Sequence, residues 1–148
     1  MRLTTKVRRY WRVVILGTLI GFGVFSPTTH AITVIGHASV DRNELQLKEV
    51  RAIFTMKKRL WSDGQRVQVY VLSQDQKTHK AFCKQVLGIF PRQLDAIWQR
   101  LVYSGTGQAP TALSSKEEMI QTIANTPGAI GYIQQDYDHE NIKAIRVH

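Results

Sequence analysis

The chain has 148 residues and a formal net charge of +9, from 20 lysines and arginines against 11 aspartates and glutamates. Five of the basic residues precede position 13, and the sequence after position 31 carries a net charge of only +4. Because Lys57–Arg59 is the one basic run in that later part, the composition excludes an ordinary nucleic-acid-binding protein.

The first 31 residues have the order of a cleavable signal peptide. The five basic residues precede an apolar run from Val13 to Phe25, and Thr29–Ala31 leads to a cleavage point. The apolar run is too short to span a bilayer, which takes roughly 20 helical residues. We therefore expect cleavage after Ala31, leaving a soluble periplasmic domain of residues 32–148 without a lipid anchor. A short retained membrane anchor is the alternative.

The first half of this domain is predicted as strand, helix, turn and strand. Ile32–Gly36 is a β-branched run that ends at glycine, and the valines of Val67–Val71 alternate with other residues. A helix is predicted from Asn43, with Leu47, Val50, Ile53 and Phe54 on its apolar face. Between helix and second strand, Lys57–Arg59 is either a solvated turn or a positive patch that attracts anions or an acidic partner.

The second half is predicted as three helices and two closing strands. Gly88 ends a helix that starts near Thr78, and Pro91 starts the next one. Ser114 or Ser115 caps a further helix, and the closing strands are Ala129–Ile133 and Ile142–Val147. Strands that alternate with helices predict an α/β fold with a mixed or parallel sheet flanked by helices.

No familiar catalytic or cofactor-binding signature is present. The sequence has no Gly-x-Ser-x-Gly elbow, no Gly-x-x-x-x-Gly-Lys phosphate loop and no cysteine pair at metal-ligand spacing. Cys83 follows His79 by four residues, but its apolar neighbours favour packing in the core over catalysis. The acidic loop Asp136–Glu140 lacks the glycine and distal glutamate of a calcium loop, so a solvated turn is predicted. We predict no enzyme, no metal site and no cofactor.

Ser104–Gly107 is the first candidate anion site. Its two glycines, Gly105 and Gly107, allow successive backbone N–H groups to turn toward one point, and the hydroxyls of Ser104 and Thr106 add donors. The segment directly follows the helix that contains Trp98, so a glycine-rich helix end is the alternative interpretation.

The order of these motifs resembles the phosphate-type solute-binding superfamily of periplasmic proteins, the receptors that deliver phosphate to ABC importers. The resemblance covers nearly all of residues 32–148, and its most specific part is the closing Pro-Gly-Ala-Ile-Gly-Tyr element. The segments that carry it are Val50–Lys57, Trp61–Gly64, Phe82–Gly88, Trp98, Ser104–Gly107 with Pro110, and Thr126–Tyr132.

The resemblance implies that the chain forms one lobe of a periplasmic-binding-protein-like fold. The receptors of this superfamily have two α/β lobes joined by a hinge, and they hold the anion in the cleft between the lobes. The motifs here match the second lobe. A single lobe leaves one side of the anion open to solvent, which weakens each charge-assisted hydrogen bond.

The resemblance also implies a second candidate anion site after the second strand, where the superfamily has an arginine followed by Ser-Gly-Thr. Here that stretch is Leu72–Thr78, which keeps only the threonine. The candidate residues are Ser73, Lys77, Thr78 and His79, at the N-terminus of a helix. Thr78 is either an anion ligand or the cap of its own helix. Met56 also occupies a position where the superfamily has glycine.

Two functions remain open after this comparison of motifs. The first is a periplasmic protein that binds phosphate or another small oxyanion in connection with ABC-type uptake. The second is an interaction module that has lost the ligand site and acts through a periplasmic or membrane protein partner.

Overall fold

The computed structural model describes residues 31–135 and 137–148. The predicted signal peptide lies outside these residues apart from Ala31. The described chain forms strands and helices in the following order: β1 Ile32–His37, β2 Glu44–Leu45, α1 Leu47–Phe54, β3 Gln68–Leu72, α2 Lys77–Phe82 continued by a π-helical turn Cys83–Leu87, α3 Pro91–Tyr103, β4 Thr111–Leu113, α4 Lys116–Ala124, β5 Ala129–Gln134 and β6 Ile142–Val147.

The strands of the described residues form one mixed six-stranded sheet in the order β2-β6-β1-β5-β3-β4. Strand β1 is antiparallel to both β5 and β6. Strand β3 is parallel to β4 and to β5. The carboxyl ends of β3, β4 and β5 therefore meet at one edge of the sheet, which we call the carboxyl edge, and their amino ends meet at the amino edge.

The core lies on both faces of this sheet. Every residue of β5 except Gln134 is buried, because this central strand is covered by helices on each side. The Tyr132 ring stacks on Phe82 with 3.7 Å between centroids. The prediction of an α/β fold with a mixed sheet flanked by helices is confirmed. In the described part of the chain, no helix is long and apolar enough to cross a membrane.

Two tryptophans tie loops to this core through their indole N–H groups. Trp61 donates to the carbonyl of Gly128, and Trp98 donates to the carbonyl of Phe54, each at 2.9 Å. Gly128 has a φ of +76°, and a Cβ atom there would collide with the Arg66 carbonyl. The first bond joins the segment before β3 to the turn before β5, and the second joins α3 to the end of α1.

Most of the predicted helix ends are confirmed. Gly88 ends the helical segment in a left-handed conformation, Pro91 begins α3, and Ser115 caps α4 by accepting a hydrogen bond from the Glu118 N–H. Thr78 does not cap its helix, because Gln76 is the residue that precedes α2.

The predicted helix start at Asn43 is wrong. Glu44 and Leu45 instead form the short strand β2, which pairs with Arg146 and Val147 of β6. Helix α1 then begins at Leu47. Strand β4 was likewise not among the predicted elements, because three residues are too few to show a hydrophobic period.

Met56 adopts a backbone conformation that favours glycine. Its φ is +61°, in the left-handed region, where a Cβ atom is unfavourable. Its N–H still donates to the carbonyl of Ile53 at 2.9 Å, so the turn after α1 is formed.

Candidate functional site

The carboxyl edge holds a cavity of about 240 Å³ between the loops that follow β3, β4 and β5. Ligands of open α/β sheets bind outside the carboxyl ends of the strands, where such loops diverge. The cavity wall is formed by Leu72, Gln76, Thr78, Lys116, Glu117, Ile133, Gln134 and Gln135. Three of these residues carry amide side chains and one carries a hydroxyl group.

The N-terminus of α2 lies at this cavity and has no side-chain cap. Gln76 precedes the helix but makes no side-chain capping bond, and the first turn contains no acidic residue. The Gln76 amide instead donates to the Ser114 carbonyl at 2.6 Å, which ties the loops after β3 and β4 together. The first N–H groups of a helix carry partial positive charge, so this end favours an anion.

The N-terminus of α4, on the same edge, is already paired with a carboxylate. Glu118 accepts hydrogen bonds from both the N–H and the hydroxyl of Ser114, each at 2.6 Å. These two bonds lower the pKa of Glu118, the bond from the Ser114 hydroxyl contributing most. A bound anion at this helix would have to displace the Glu118 carboxylate. The two helix ends of the carboxyl edge are therefore not equivalent.

Of the four residues predicted around α2, only Thr78 lines the cavity. Its hydroxyl lies 3.4 Å from the Gln134 amide oxygen, a long contact that leaves the hydroxyl able to bind elsewhere. The Ser73 hydroxyl donates to the Leu113 carbonyl at 3.1 Å, and Lys77 is exposed and does not line the cavity. The structure therefore brings Thr78, but not the complete predicted set, to one site.

His79 points away from the cavity and into the core, where it is fully buried. Its Nδ1 lies 2.6 Å from the Tyr132 hydroxyl, and that oxygen accepts the backbone N–H of Leu72 at 3.0 Å. Since the Tyr132 O–H needs an acceptor, we assign it as donor to a neutral His79. Burial lowers the pKa of His79, which favours this neutral form. His79 thus supports the end of β3 rather than contacting a ligand.

Cys83 completes this buried network. Its sulfur lies 3.5 Å from Nε2 of His79, and burial raises the pKa of the thiol to about 11. A thiol with so high a pKa is not a nucleophile at neutral pH. The expected packing role of Cys83 is therefore the one that the structure supports. No group of three or more metal-ligating side chains occurs among the described residues.

The Ser104–Gly107 turn lies at the amino edge, at the opposite end of the parallel strands from Thr78. Its N–H groups do not converge on an outside point. Gly105 donates to Val102, and Thr106 and Gly107 both donate to the carbonyl of Leu101. The Ser104 hydroxyl donates to the Arg100 carbonyl at 2.7 Å. The predicted oxyanion cradle is not formed, because the N–H groups of the turn donate to carbonyls at the end of α3 and the Thr106 hydroxyl pairs with that of Ser104.

Two features of the sites carried no local sequence signal. Gln76 and Gln134 line the carboxyl-edge cavity, yet glutamine has no characteristic binding pattern in a sequence. Arg59 reaches the Ser104–Gly107 turn from 47 residues away and donates to the Thr106 carbonyl at 2.7 Å. Only the tertiary fold brings these residues together.

Comparisons with solved structures place this geometry in a known fold. A phosphate ABC transporter substrate-binding protein of Clostridium perfringens, solved with bound phosphate, matches with a TM-score of 0.63 and 19% identity over 78% of this chain. An ABC-type phosphate transport receptor of Vibrio cholerae matches with a TM-score of 0.61 and 13% identity over 78% of the chain. PstS of Borrelia burgdorferi matches with a TM-score of 0.61 and 16% identity over 79% of the chain.

The described chain has the periplasmic-binding-protein fold. The chain covers 44% of the Clostridium perfringens protein, 45% of the Vibrio cholerae protein and 47% of the Borrelia burgdorferi protein. It therefore spans less than half the length of each. No family model matches the sequence, and no curated protein sequence matches it significantly. Within the periplasmic-binding-protein fold, the carboxyl edge of this chain is the edge at which α/β folds bind ligands.

Proposed function

We propose that residues 32–148 form an exported solute-binding domain that takes a small oxyanion such as phosphate at the carboxyl edge, in connection with ABC-type uptake. The observation that carries this proposal is the N-terminus of α2, which has no capping bond and no acidic residue in its first turn and which lies over a cavity lined by Thr78. Backbone N–H groups and a hydroxyl at a helix start form a suitable oxyanion site.

The fold supports the same proposal. The Clostridium perfringens protein holds phosphate, and the Vibrio cholerae protein is a phosphate transport receptor by name. The periplasmic location and the boundary at Ala31 belong to this proposal, and so does a membrane-protein partner of the ABC type.

The charges around the cavity indicate weak binding. Glu117 lines the wall, and Lys116 donates to the Gln135 amide oxygen at 3.4 Å. No arginine is among the described residues of this wall, so the bidentate grip that guanidinium gives an oxyanion is missing. The groups of this chain that would hold the anion are the N–H groups at the start of α2 and the Thr78 hydroxyl.

Calorimetry with phosphate and with sulfate tests the site. Replacing Thr78 by valine removes one hydroxyl donor without changing the side-chain shape, and we expect about tenfold weaker binding, which corresponds to about 1.4 kcal/mol. The matched control is Thr122→Val, on α4 and outside the cavity, which should bind as the original protein does. Equal heats for both variants and the original protein, or no heat for any, would contradict the proposal.

A protein-interaction role is the second candidate, and one observation favours it. Four large apolar side chains remain exposed in the described chain: Leu60, Phe90, Val102 and Tyr103, the last at 87%. Contiguous exposed apolar surface marks contact sites in soluble proteins, and Val102 and Tyr103 are neighbours at the end of α3. Absence of any anion-induced change in the calorimetric test would favour this role over solute binding.

A further inference from the structure

The amino edge of the sheet holds a second and larger cavity, of about 530 Å³, which the proposed oxyanion function does not use. It lies between the start of β3 and the extended segment that leads from α3 into β4. The residues that line it are Met56, Arg59, Arg66, Val67, Gln68, Val69, Gly105, Thr106, Gly107, Gln108, Ala109, Pro110 and Thr111. Two arginines are among these described residues and no acidic residue is, so the cavity has a positive field.

Arg59 is held in a fixed orientation on one wall. Its Nε donates to the Met56 carbonyl at 3.3 Å and its Nη2 to the Thr106 carbonyl at 2.7 Å. A guanidinium group has five N–H donors, so three remain for a ligand. Because the orientation is set by backbone atoms, little side-chain entropy is lost when an anion binds.

Gly107 provides the space that this orientation requires. A Cβ atom at Gly107 would lie 2.8 Å from Nη2 of Arg59 and 3.5 Å from Cβ of Leu101. The φ of Gly107 is not in the left-handed region, so close approach of the arginine, rather than backbone conformation, explains the glycine. The second glycine of the predicted oxyanion turn thus positions a guanidinium group instead of offering an N–H group.

Arg66 supplies a second guanidinium group that is not committed to the protein. Its side chain makes no hydrogen bond or ion pair with another described residue, and it lies on the wall of the same cavity. The rest of the wall is mixed: Met56, Ala109 and Pro110 are apolar, whereas Gln68 and Gln108 carry hydrogen-bonding side chains. A matching ligand would therefore combine an anionic group with a body that tolerates both apolar and polar contacts.

We infer that this cavity is a binding site for an organic carboxylate, with the carboxylate on the guanidinium groups of the arginine wall and the aliphatic part against Met56, Ala109 and Pro110. Guanidinium groups bind carboxylates through paired N–H···O bonds, and the apolar part of the wall adds affinity that inorganic phosphate does not gain. The site is separate from the carboxyl-edge cavity because the two share no lining residue.

Titration with hexanoate, followed by NMR of the backbone amides and arginine side chains, tests this site. We expect hexanoate to shift the signals of Gln108, Ala109 and the Arg66 Nε–H. Hexanamide, which has the same apolar body without the charge, should bind about tenfold more weakly. Arg66→Gln should weaken hexanoate binding about tenfold, since it removes one charged partner.

The matched control is Arg92→Gln, which removes the same charge from the exposed first turn of α3 outside the cavity. This variant should bind hexanoate as the original protein does. Equal binding of hexanoate and hexanamide, equal weakening by both arginine variants, or no shift at this edge would each overturn the inference. Failure of the carboxyl-edge proposal would appear separately, as loss of the phosphate heats with hexanoate binding intact.

Discussion

The two ends of the same three parallel strands present different chemistry. At the carboxyl edge, the positive character comes from the backbone at the start of α2, and the side chains nearby are amides, Thr78 and Glu117. At the amino edge, the backbone N–H groups are consumed by the end of α3, and the positive character comes from Arg59 and Arg66. Topology therefore fixes where a backbone site lies, whereas side chains can create a charged site at either end.

This difference predicts different selectivity at the two ends. Backbone N–H groups at a helix start suit a compact oxyanion, which fits close to them. Guanidinium groups beside a partly apolar wall suit a carboxylate with an aliphatic part. Three predictions, taken from the largest expected effect to the smallest, sharpen this comparison.

The first prediction concerns the buried support of the carboxyl edge. His79 has a lowered pKa in the folded state against an ordinary value of 6.5, so the unfolded chain takes up the proton first. The contribution of neutral His79 to the free energy of unfolding should be complete above about pH 6.5. It should then fall as the pH drops below that value, by at most about 1.4 kcal/mol per pH unit, until the folded-state pKa is reached.

Urea unfolding at several pH values between 5 and 8 measures this effect, and His79→Gln is its control. The glutamine side chain can accept a hydrogen bond from the Tyr132 hydroxyl but does not titrate. Two carboxyl groups also have shifted pKa values: burial raises the pKa of Asp95, and the hydrogen bond from Lys58 chiefly lowers the pKa of Glu49. Both groups are present in both proteins, so the difference between the two curves isolates His79. The same slope in both proteins would contradict the assigned neutral form of His79.

The second prediction concerns Met56, on the wall of the amino-edge cavity. Because its φ is +61°, glycine at this position avoids the cost of a Cβ atom in the left-handed region. Met56→Gly should be more stable than Met56→Ala by about 1 kcal/mol, since both variants lose the methionine side chain. Thermal or urea unfolding of the two variants checks this. A more stable alanine variant would show that the turn does not need the left-handed conformation.

The third prediction concerns the carboxylate on the wall of the carboxyl-edge cavity. Glu117→Gln removes a like charge near the proposed oxyanion, so phosphate should bind about threefold more tightly in low salt. Phosphate calorimetry at low and high ionic strength measures the gain, which added salt should reduce. Unchanged or weaker phosphate binding in this variant would indicate that the anion does not bind near Glu117.

Local sequence signals were sufficient for most of the framework. Gly88, Pro91 and Ser115 mark helix ends through their own backbone or side-chain chemistry, and the structure confirms them. The fold class followed from the alternation of strands with helices. Strands β2 and β4 were beyond such reasoning, because two or three residues become strands only by pairing with β6 and β3.

The candidate sites were less accessible from the sequence because they depend on side-chain direction. His79 directly follows Thr78, but its ring faces Tyr132 in the core while Thr78 faces the cavity. The Ser104–Gly107 turn had the composition of an anion cradle, yet its N–H groups bond to α3. Arg59 and Arg66 are distant in sequence from that turn, so no local pattern predicted the basic cavity around it.

The central claim is that the two edges of the sheet bind different anions independently. The most direct test crosses Thr78→Val and Arg66→Gln with phosphate and hexanoate in one set of NMR titrations. We predict that Thr78→Val weakens phosphate alone and that Arg66→Gln weakens hexanoate alone, each about tenfold. If either variant weakened both anions equally, or if both anions shifted the same amide signals, the two-site account would be wrong.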